Sequence, residues 1–234
     1  MKEEHKVELL KETGLFSALP DEEFRKVLEK IKVKSFRRGD VILREEDTND
    51  FMYIVLDGEV KVSRSTGEGK EITLAMHRSG DFFGELALID GKTVPATVSA
   101  AGDSVMAVIS KKVFYSLIFS HHKIAERLLN ILCSRLRDSF RLIEMLNFNN
   151  ASQRIKMLLV MLSDKYGKKG DMGVLISSKL THQDIAEMTG IARETATRVI
   201  DKFRKEGSIK ILKGKAILLS PEFLQMSQNK IGGA

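Results

Sequence analysis

THQDIAEMTGIARETATRVIDKFRKEG, the stretch from Thr181 to Gly207, decides how this chain is read. Thr181 followed three residues later by Asp184 is a variant of the capping box, in which a hydroxyl and a carboxylate satisfy backbone N–H groups at a helix start. Ile185, Ala186 and Met188 give that helix one apolar side, and Thr189-Gly190-Ile191 supplies a turn. A second helix is predicted from about Ala192 to Glu206, burying Ala196, Val199, Ile200 and Phe203, with Gly207 placed to end it in the left-handed conformation. Two short helices joined by a glycine-bearing turn make a helix-turn-helix.

Arg193, Glu194, Thr197 and Arg198 fall at or near the first turn of that second helix, where a recognition helix meets base edges in the major groove. Arginine pairs bidentately with O6 and N7 of guanine, and glutamate accepts from N4 of cytosine. A solvated helix face with an Arg/Glu ion pair would carry the same residue types. The capped helix before it, Gly190 in the turn and a basic hairpin after it favour a helix that reads DNA.

Downstream, Ser208-Ile-Lys-Ile-Leu212 and Ala216-Ile-Leu-Leu219 read as the two strands of an apolar hairpin, and Lys213 and Lys215 in its turn add cations to the same interface. Upstream, an amphipathic helix is expected from about Ser152 to Lys165, then a Gly/Lys-rich loop through Gly167-Lys-Lys-Gly170. Three helices and a hairpin compose a winged helix-turn-helix. Residues 151–234 hold 15 Lys+Arg against 8 Asp+Glu, net +7, whereas the rest of the chain is net −1. A basic module on a neutral one is the footprint of nucleic-acid binding, although solvated lysines alone produce the same imbalance.

From about Phe36 to Val113 the pattern changes to short alternating segments: 40–43, 51–56, 59–62, 71–75, 96–99 and 104–109. Arg38-Gly39-Asp40, Asp57-Gly58, Thr66-Gly67, Ser79-Gly80-Asp81, Asp90-Gly91 and Gly102-Asp103 punctuate them, as expected of a β-sandwich or barrel. The first 30 residues read as helical, with Leu9, Leu10, Phe24, Val27, Leu28 and Ile31 at helical spacings. Between these regions Ala125, Leu129, Leu132, Leu136, Ser139, Ile143 and Leu146 alternate steps of four and three through a stretch without Gly or Pro. That is the seam of a long helix paired with another helix, and homodimerisation is expected through Leu129, Leu132, Leu136, Ile143 and Leu146. Packing on the β domain would account for many of the same positions. Asn147-Phe-Asn-Asn150 reads as a break and a hinge.

The chain has 234 residues, 43% of them hydrophobic, enough for two ordinary domains. It holds no apolar run of membrane-spanning length and no apolar stretch behind Met1-Lys2-Glu3-Glu4-His5, so a soluble, cytoplasmic protein with no membrane partner is expected. The single cysteine, Cys133, reads as a buried thiol. No nucleophile–base pairing, phosphate-binding Walker loop or Cys/His metal cluster is visible, so an enzyme is not expected.

With these residues in view, the chain resembles the cAMP receptor protein and fumarate/nitrate-reductase regulator (CRP/FNR) family of bacterial transcription factors over nearly its whole length. The family's recognition-helix pattern Arg-Glu-Thr-x-x-Arg stands here as Arg193, Glu194, Thr195 and Arg198. The resemblance implies TGTGA-like half-sites, phosphate or backbone contacts at Thr181, Gln183 and Thr195, and RNA polymerase as a partner. One departure is Ala192, where family members often have an N-capping serine. Its loss removes a cap worth about 1 kcal/mol.

Ser79-Gly-Asp-Phe-Phe-Gly-Glu-Leu-Ala-Leu-Ile-Asp-Gly91 resembles the phosphate-binding cassette of cyclic-nucleotide-binding domains. The resemblance puts Gly84, Glu85 and Leu86 at the helix start that receives the cyclic phosphate, with Glu85 on the ribose hydroxyl. With its cationic neighbour missing, the reading favoured for Glu85 is a cap on a local turn. Where the cassette continues with Arg-Ser, this chain has Val94-Pro95, and an aliphatic side chain cannot replace a cation opposite phosphate. At the base-contacting Thr-Ser of cAMP-responsive relatives it has Ser139-Phe140. Conventional cAMP binding is therefore not expected. An apolar or aromatic small molecule in a Val94-lined cavity, an unorthodox nucleotide, or no ligand at all remain.

The N-terminal cysteine cluster of the oxygen-sensing branch is missing. His77, His121, His122 and Met76 are haem ligands by residue type only, and the histidines are expected on the surface. The expected fold is α+β: a β-roll sensor domain over residues 1–121, a dimerisation helix over 122–148, and a winged helix-turn-helix binding double-stranded DNA over 149–234. A regulatory module whose tail binds a protein partner is the alternative.

Overall fold

The computed structural model describes residues 8–11, 13–17, 19–67, 71–177, 180–212 and 216–228. The chain forms two compact units, residues 1–134 and 135–234, divided within one long helix.

In the first unit a helical turn over residues 8–11 precedes α1 (Asp21–Leu28), whose Phe24 and Val27 are buried. The strands are β1 (Lys32–Phe36), β2 (Val41–Leu43), β3 (Phe51–Asp57), β4 (Glu59–Ser65), β5 (Glu71–Arg78), β6 (Phe82–Phe83), β7 (Thr97–Ala100) and β8 (Ser104–Ser110). A short α2 (Glu85–Asp90) interrupts them, α3 (Lys111–Ser120) follows, and α4 (His122–Leu146) is the helix within which the two units divide. Two antiparallel four-stranded sheets result, in the orders β1-β8-β3-β6 and β2-β7-β4-β5. β1 and β6 extend the expected set of strands; Lys32–Phe36 lacks strict apolar alternation because β1 is largely exposed and pairs only with β8.

The apolar run in β3 reads as a strand covered on both faces. Met52, Ile54 and Leu56 join Leu10, Phe16, Phe24, Phe114 and Ile124 in one core, whereas Tyr53 and Val55 join Leu43, Val60, Phe83, Val98 and Met106 in the other. The N-terminal helical segments and the start of α4 thus cover one face of the β1-containing sheet, and the second sheet covers the other.

The second unit contains α5 (Ala151–Tyr166), β9 (Gly167–Gly170), β10 (Gly173–Ile176), α6 (His182–Thr189), α7 (Arg193–Lys205), β11 (Ile209–Ile211), β12 (Ile217–Leu219) and α8 (Pro221–Gln228). Its sheet has the order β11-β12-β10-β9. The expected loop at Gly167–Gly170 is a strand. It pairs antiparallel with Gly173–Ile176, which in turn pairs with β12 of the wing, so the partner rather than local propensity decides its conformation. A Cβ on Gly167 would lie 2.2 Å from the Ser163 carbonyl oxygen and 2.3 Å from Val174 Cγ1, so this crossing of α5 and β10 needs glycine. A fourth helix, α8, also goes beyond the three expected. Its Phe223 is buried edge-on against Phe203 of α7 at 5.3 Å.

Candidate nucleic-acid interface and sensor domain

The helix-turn-helix is built as its sequence implies. Thr181 caps α6: its Oγ1 accepts from Asp184 N at 3.1 Å, and Asp184 Oδ2 accepts from Thr181 N at 2.8 Å, closing both halves of the capping box. Gly190 takes φ 64° at the end of α6, where Ile191 N bonds back to the Ala186 carbonyl at 3.1 Å. Arg154 of α5 donates Nη1 to the Thr189 carbonyl at 3.1 Å and Nε to the Phe148 carbonyl at 2.7 Å, tying the turn to the segment before α5. That clamp has no sequence motif. Gly207, with φ 72°, follows α7 as expected.

On α7, Ala196, Val199, Ile200 and Phe203 are buried, and Arg193, Glu194 and Arg198 are exposed. Ala192 occupies the N-cap position with no side-chain hydrogen bond, so the α7 amides are left for solvent or an anion. Arg198 Nη2 donates to Thr195 Oγ1 at 3.2 Å. Thr197 Oγ1 donates to the Arg193 carbonyl at 3.0 Å and lies 3.0 Å from His182 Nδ1. Gln183, exposed on α6, donates to Glu187 Oε1 at 2.8 Å. Lys213 and Lys215 lie outside the described residues; around them Leu212 N donates to the Ala216 carbonyl at 2.8 Å, closing the hairpin base. Lys168 and Lys169 are exposed on edge strand β9.

In the sensor domain Gly84 holds φ 85°, and a Cβ there would approach the Phe51 carbonyl oxygen to 2.7 Å. Asn49 Nδ2 fixes the same corner, donating to the carbonyls of Phe51 at 2.6 Å and Gly84 at 3.0 Å. Glu85 is buried in the first turn of α2 while Leu86 is exposed. Val94 does not line an open cavity: it is 3% exposed and packs in the core with Leu43, Tyr53, Phe83 and Val98. Its N–H donates to the Asp47 carbonyl at 2.9 Å and its carbonyl accepts from Glu46 N at 2.8 Å, so a neighbouring loop holds the residue inward. Pro95 is exposed. Ser139, exposed on α4, donates to the Arg135 carbonyl at 3.0 Å, and Phe140 is also exposed.

Two residues lie on the other side of the surface from the one expected. His77 is buried rather than on the surface: its ring lies parallel to Phe83 at 6.2 Å, and Phe83 stacks on Tyr53 at 5.1 Å. Burial there pushes the Tyr53 phenol above its ordinary pKa of 10.0. Met76 is buried beside it, His121 is half-buried with Nδ1 3.1 Å from Glu23 Oε2, and His122 is exposed. Cys133 is exposed rather than buried, because Ile124 and Leu128 turn the opposite side of α4 towards the core.

The remaining side of α4 is apolar and open. Leu129, Leu136, Phe140, Ile143 and Leu146 are between 46% and 62% exposed, while Leu132 is half-buried against the core. Among the described residues no His/Cys/Asp/Glu group could hold a metal ion, and no helix is long and apolar enough to cross a membrane.

A two-sheet β-roll carrying a glycine-cornered cassette, together with a helix-turn-helix flanked by a wing, defines a sensor-linked DNA-binding regulator. Comparison with known proteins gives the family. The cyclic nucleotide-binding domain model matches residues 33–121, and the Crp-like helix-turn-helix domain model matches residues 153–226. The CRP-like cAMP-activated global transcriptional regulator of Mycobacterium tuberculosis is 28% identical over 215 residues, 91% of this chain and 95% of that protein. The global nitrogen regulator of Synechocystis sp. is 30% identical over 191 residues, 81% of this chain and 85% of that protein. A solved CooA mutant from Carboxydothermus hydrogenoformans shares the fold with a TM-score of 0.76 over 94% of this chain and 96% of that one, at 23% identity. The chain belongs to the CRP/FNR family of transcriptional regulators.

Proposed function

We propose that the chain works as a homodimer in which two copies of α7 read a pseudo-palindrome of TGTGA-like half-sites, and that its effector is not cAMP held in the usual manner. One observation carries the DNA reading: Arg193, Glu194 and Arg198 stand together, exposed, in the first two turns of a helix whose other face is buried. Arg193 and Arg198 address guanine O6 and N7, and Glu194 accepts from cytosine N4. Thr181, Gln183 and Thr195 serve the backbone, with Lys213 and Lys215 of the wing adding phosphate attraction. The exposed apolar side of α4 supports pairing with a second copy, which would set the two reading helices about one DNA turn apart.

The sensor reading rests on Val94. A buried aliphatic side chain occupies the position of the cassette arginine, so no side chain at position 94 can neutralise a cyclic phosphate. An effector of other chemistry, a small molecule or a differently bound nucleotide, would shift the DNA-binding domains about the segment 147–150. RNA polymerase is the downstream partner that the family implies, and the protein acts by binding rather than by catalysis in the cytoplasm.

Fluorescence anisotropy with a duplex bearing two half-sites one turn apart tests both parts. Arg198→Ala is expected to relax discrimination at a single G·C pair by roughly 1 to 3 kcal/mol, and added cAMP to leave affinity unchanged. Equal weakening on every sequence would reduce Arg198 to a phosphate contact. Binding that ignores replacement of Arg193, Glu194 and Arg198 together would favour a tail that docks a protein partner.

A further inference from the structure

Thr197 lies among the base-reading residues of α7, one position before Arg198, yet its hydroxyl is engaged within the protein. Oγ1 is 3.0 Å from the Arg193 carbonyl oxygen and 3.0 Å from His182 Nδ1. A threonine hydroxyl carries one proton and two acceptor lone pairs. If the proton goes to the Arg193 carbonyl, His182 donates its Nδ1–H to the hydroxyl oxygen. If it goes to His182, the imidazole is the acceptor. In both arrangements the proton points into the protein.

The partner is itself well fixed. His182 is the first residue of α6, and the capping box between Thr181 and Asp184 sets the backbone from which its ring departs. Thr195 provides the contrast on the same helix. Its hydroxyl accepts from Arg198 at 3.2 Å and keeps its own proton available for a phosphate.

We propose that His182 is a positioning residue for sequence reading: beside the Arg193 carbonyl, its ring holds the Thr197 side chain in the inward rotamer, so that residue 197 offers a base no hydrogen-bond donor, whereas without the ring the second rotamer open to a helical threonine turns the hydroxyl towards the groove. This rests on the DNA reading proposed above. A free threonine hydroxyl held at one position on the helix faces one base pair and favours whichever edge presents a partner there, so an unlocked Thr197 would add a preference of its own. Locked, it leaves the half-site to Arg193, Glu194 and Arg198.

The test is a panel of duplexes, each with one base pair of the half-site replaced, ranked by affinity for the full-length protein and its variants. His182→Ala is expected to change the ranking at one base pair by roughly three- to tenfold, the worth of a single hydrogen bond. His182→Asn, which places an amide nitrogen near the Nδ1 position, should restore the original ranking. The double variant His182→Ala/Thr197→Ala should lose the new preference, because the freed hydroxyl is gone. A His182→Ala protein that melts earlier but ranks the panel as before would overturn the lock and leave only a structural bond. Persistence of the new preference in the double variant would overturn it as well. Failure of the unmodified protein to rank the panel at all would instead overturn the DNA reading on which the lock depends.

Discussion

Ala192 leaves the reading helix without a side-chain cap. It stands at the N-cap of the reading helix and makes no side-chain hydrogen bond there, while Thr181 and Asn150 cap α6 and α5 with their side chains. Ala192→Ser is expected to raise the unfolding free energy by about 1 kcal/mol, seen as a higher Tm, and to tighten DNA binding through an added phosphate contact. An unchanged Tm would mean that solvent already satisfies those amides equally well. Single residues were unevenly legible in the sequence. Arg193, Glu194 and Arg198 stand in one short pattern on an amphipathic helix, so their exposure follows from helical periodicity alone. His77 and Cys133 depart from expectation because a residue's own neighbours in sequence do not say which side faces a core: the parallel ring of Phe83 lies against the first, and the second lies on the side of α4 opposite Ile124 and Leu128.

At the scale of elements, α4 shows how one helix divides its faces. Ile124, Leu128 and Ile131 pack on the β domain, and the opposite side leaves Leu129, Leu136, Phe140 and Ile143 open. The step-of-four-and-three pattern read from the sequence named most of this stripe, but Leu132 turns partly inward and Phe140 outward, so the open stripe lies slightly to one side of the expected seam. Leu136→Glu, at the middle of the stripe, is expected to convert a dimer to monomers in sedimentation and to abolish binding to a full two-half-site duplex. A monomeric parent protein would sink the dimer proposal itself. Strand β9 was not legible because Gly-Lys-Lys-Gly has no β-branched or aromatic residue to announce it. Its pairing with Gly173–Ile176 recruits it, and two edge lysines suit a strand that must not pair further. Helix α8 escaped for a related reason: only eight residues long, it is anchored by Phe223 against Phe203.

For the whole molecule, charge is distributed by function. The net +7 of residues 151–234 beside a net −1 remainder makes DNA affinity an ionic-strength measurement as much as a structural one. For a dimer that neutralises roughly 6 to 10 phosphates, the logarithm of the binding constant should fall linearly with that of salt concentration, at a slope of about −5 to −9. A slope near zero would exclude this mode of binding. The open face of α4 carries one more consequence, through its sulfur. Cys133 is the chain's single thiol and lies one turn from both Leu129 and Leu136, on the side that a second copy would cover. The protein therefore contains its own chemical clock for assembly: maleimide should alkylate Cys133 rapidly in dilute monomer and slowly at concentrations where subunits pair, a difference that mass spectrometry of the intact chain can time without any engineered label.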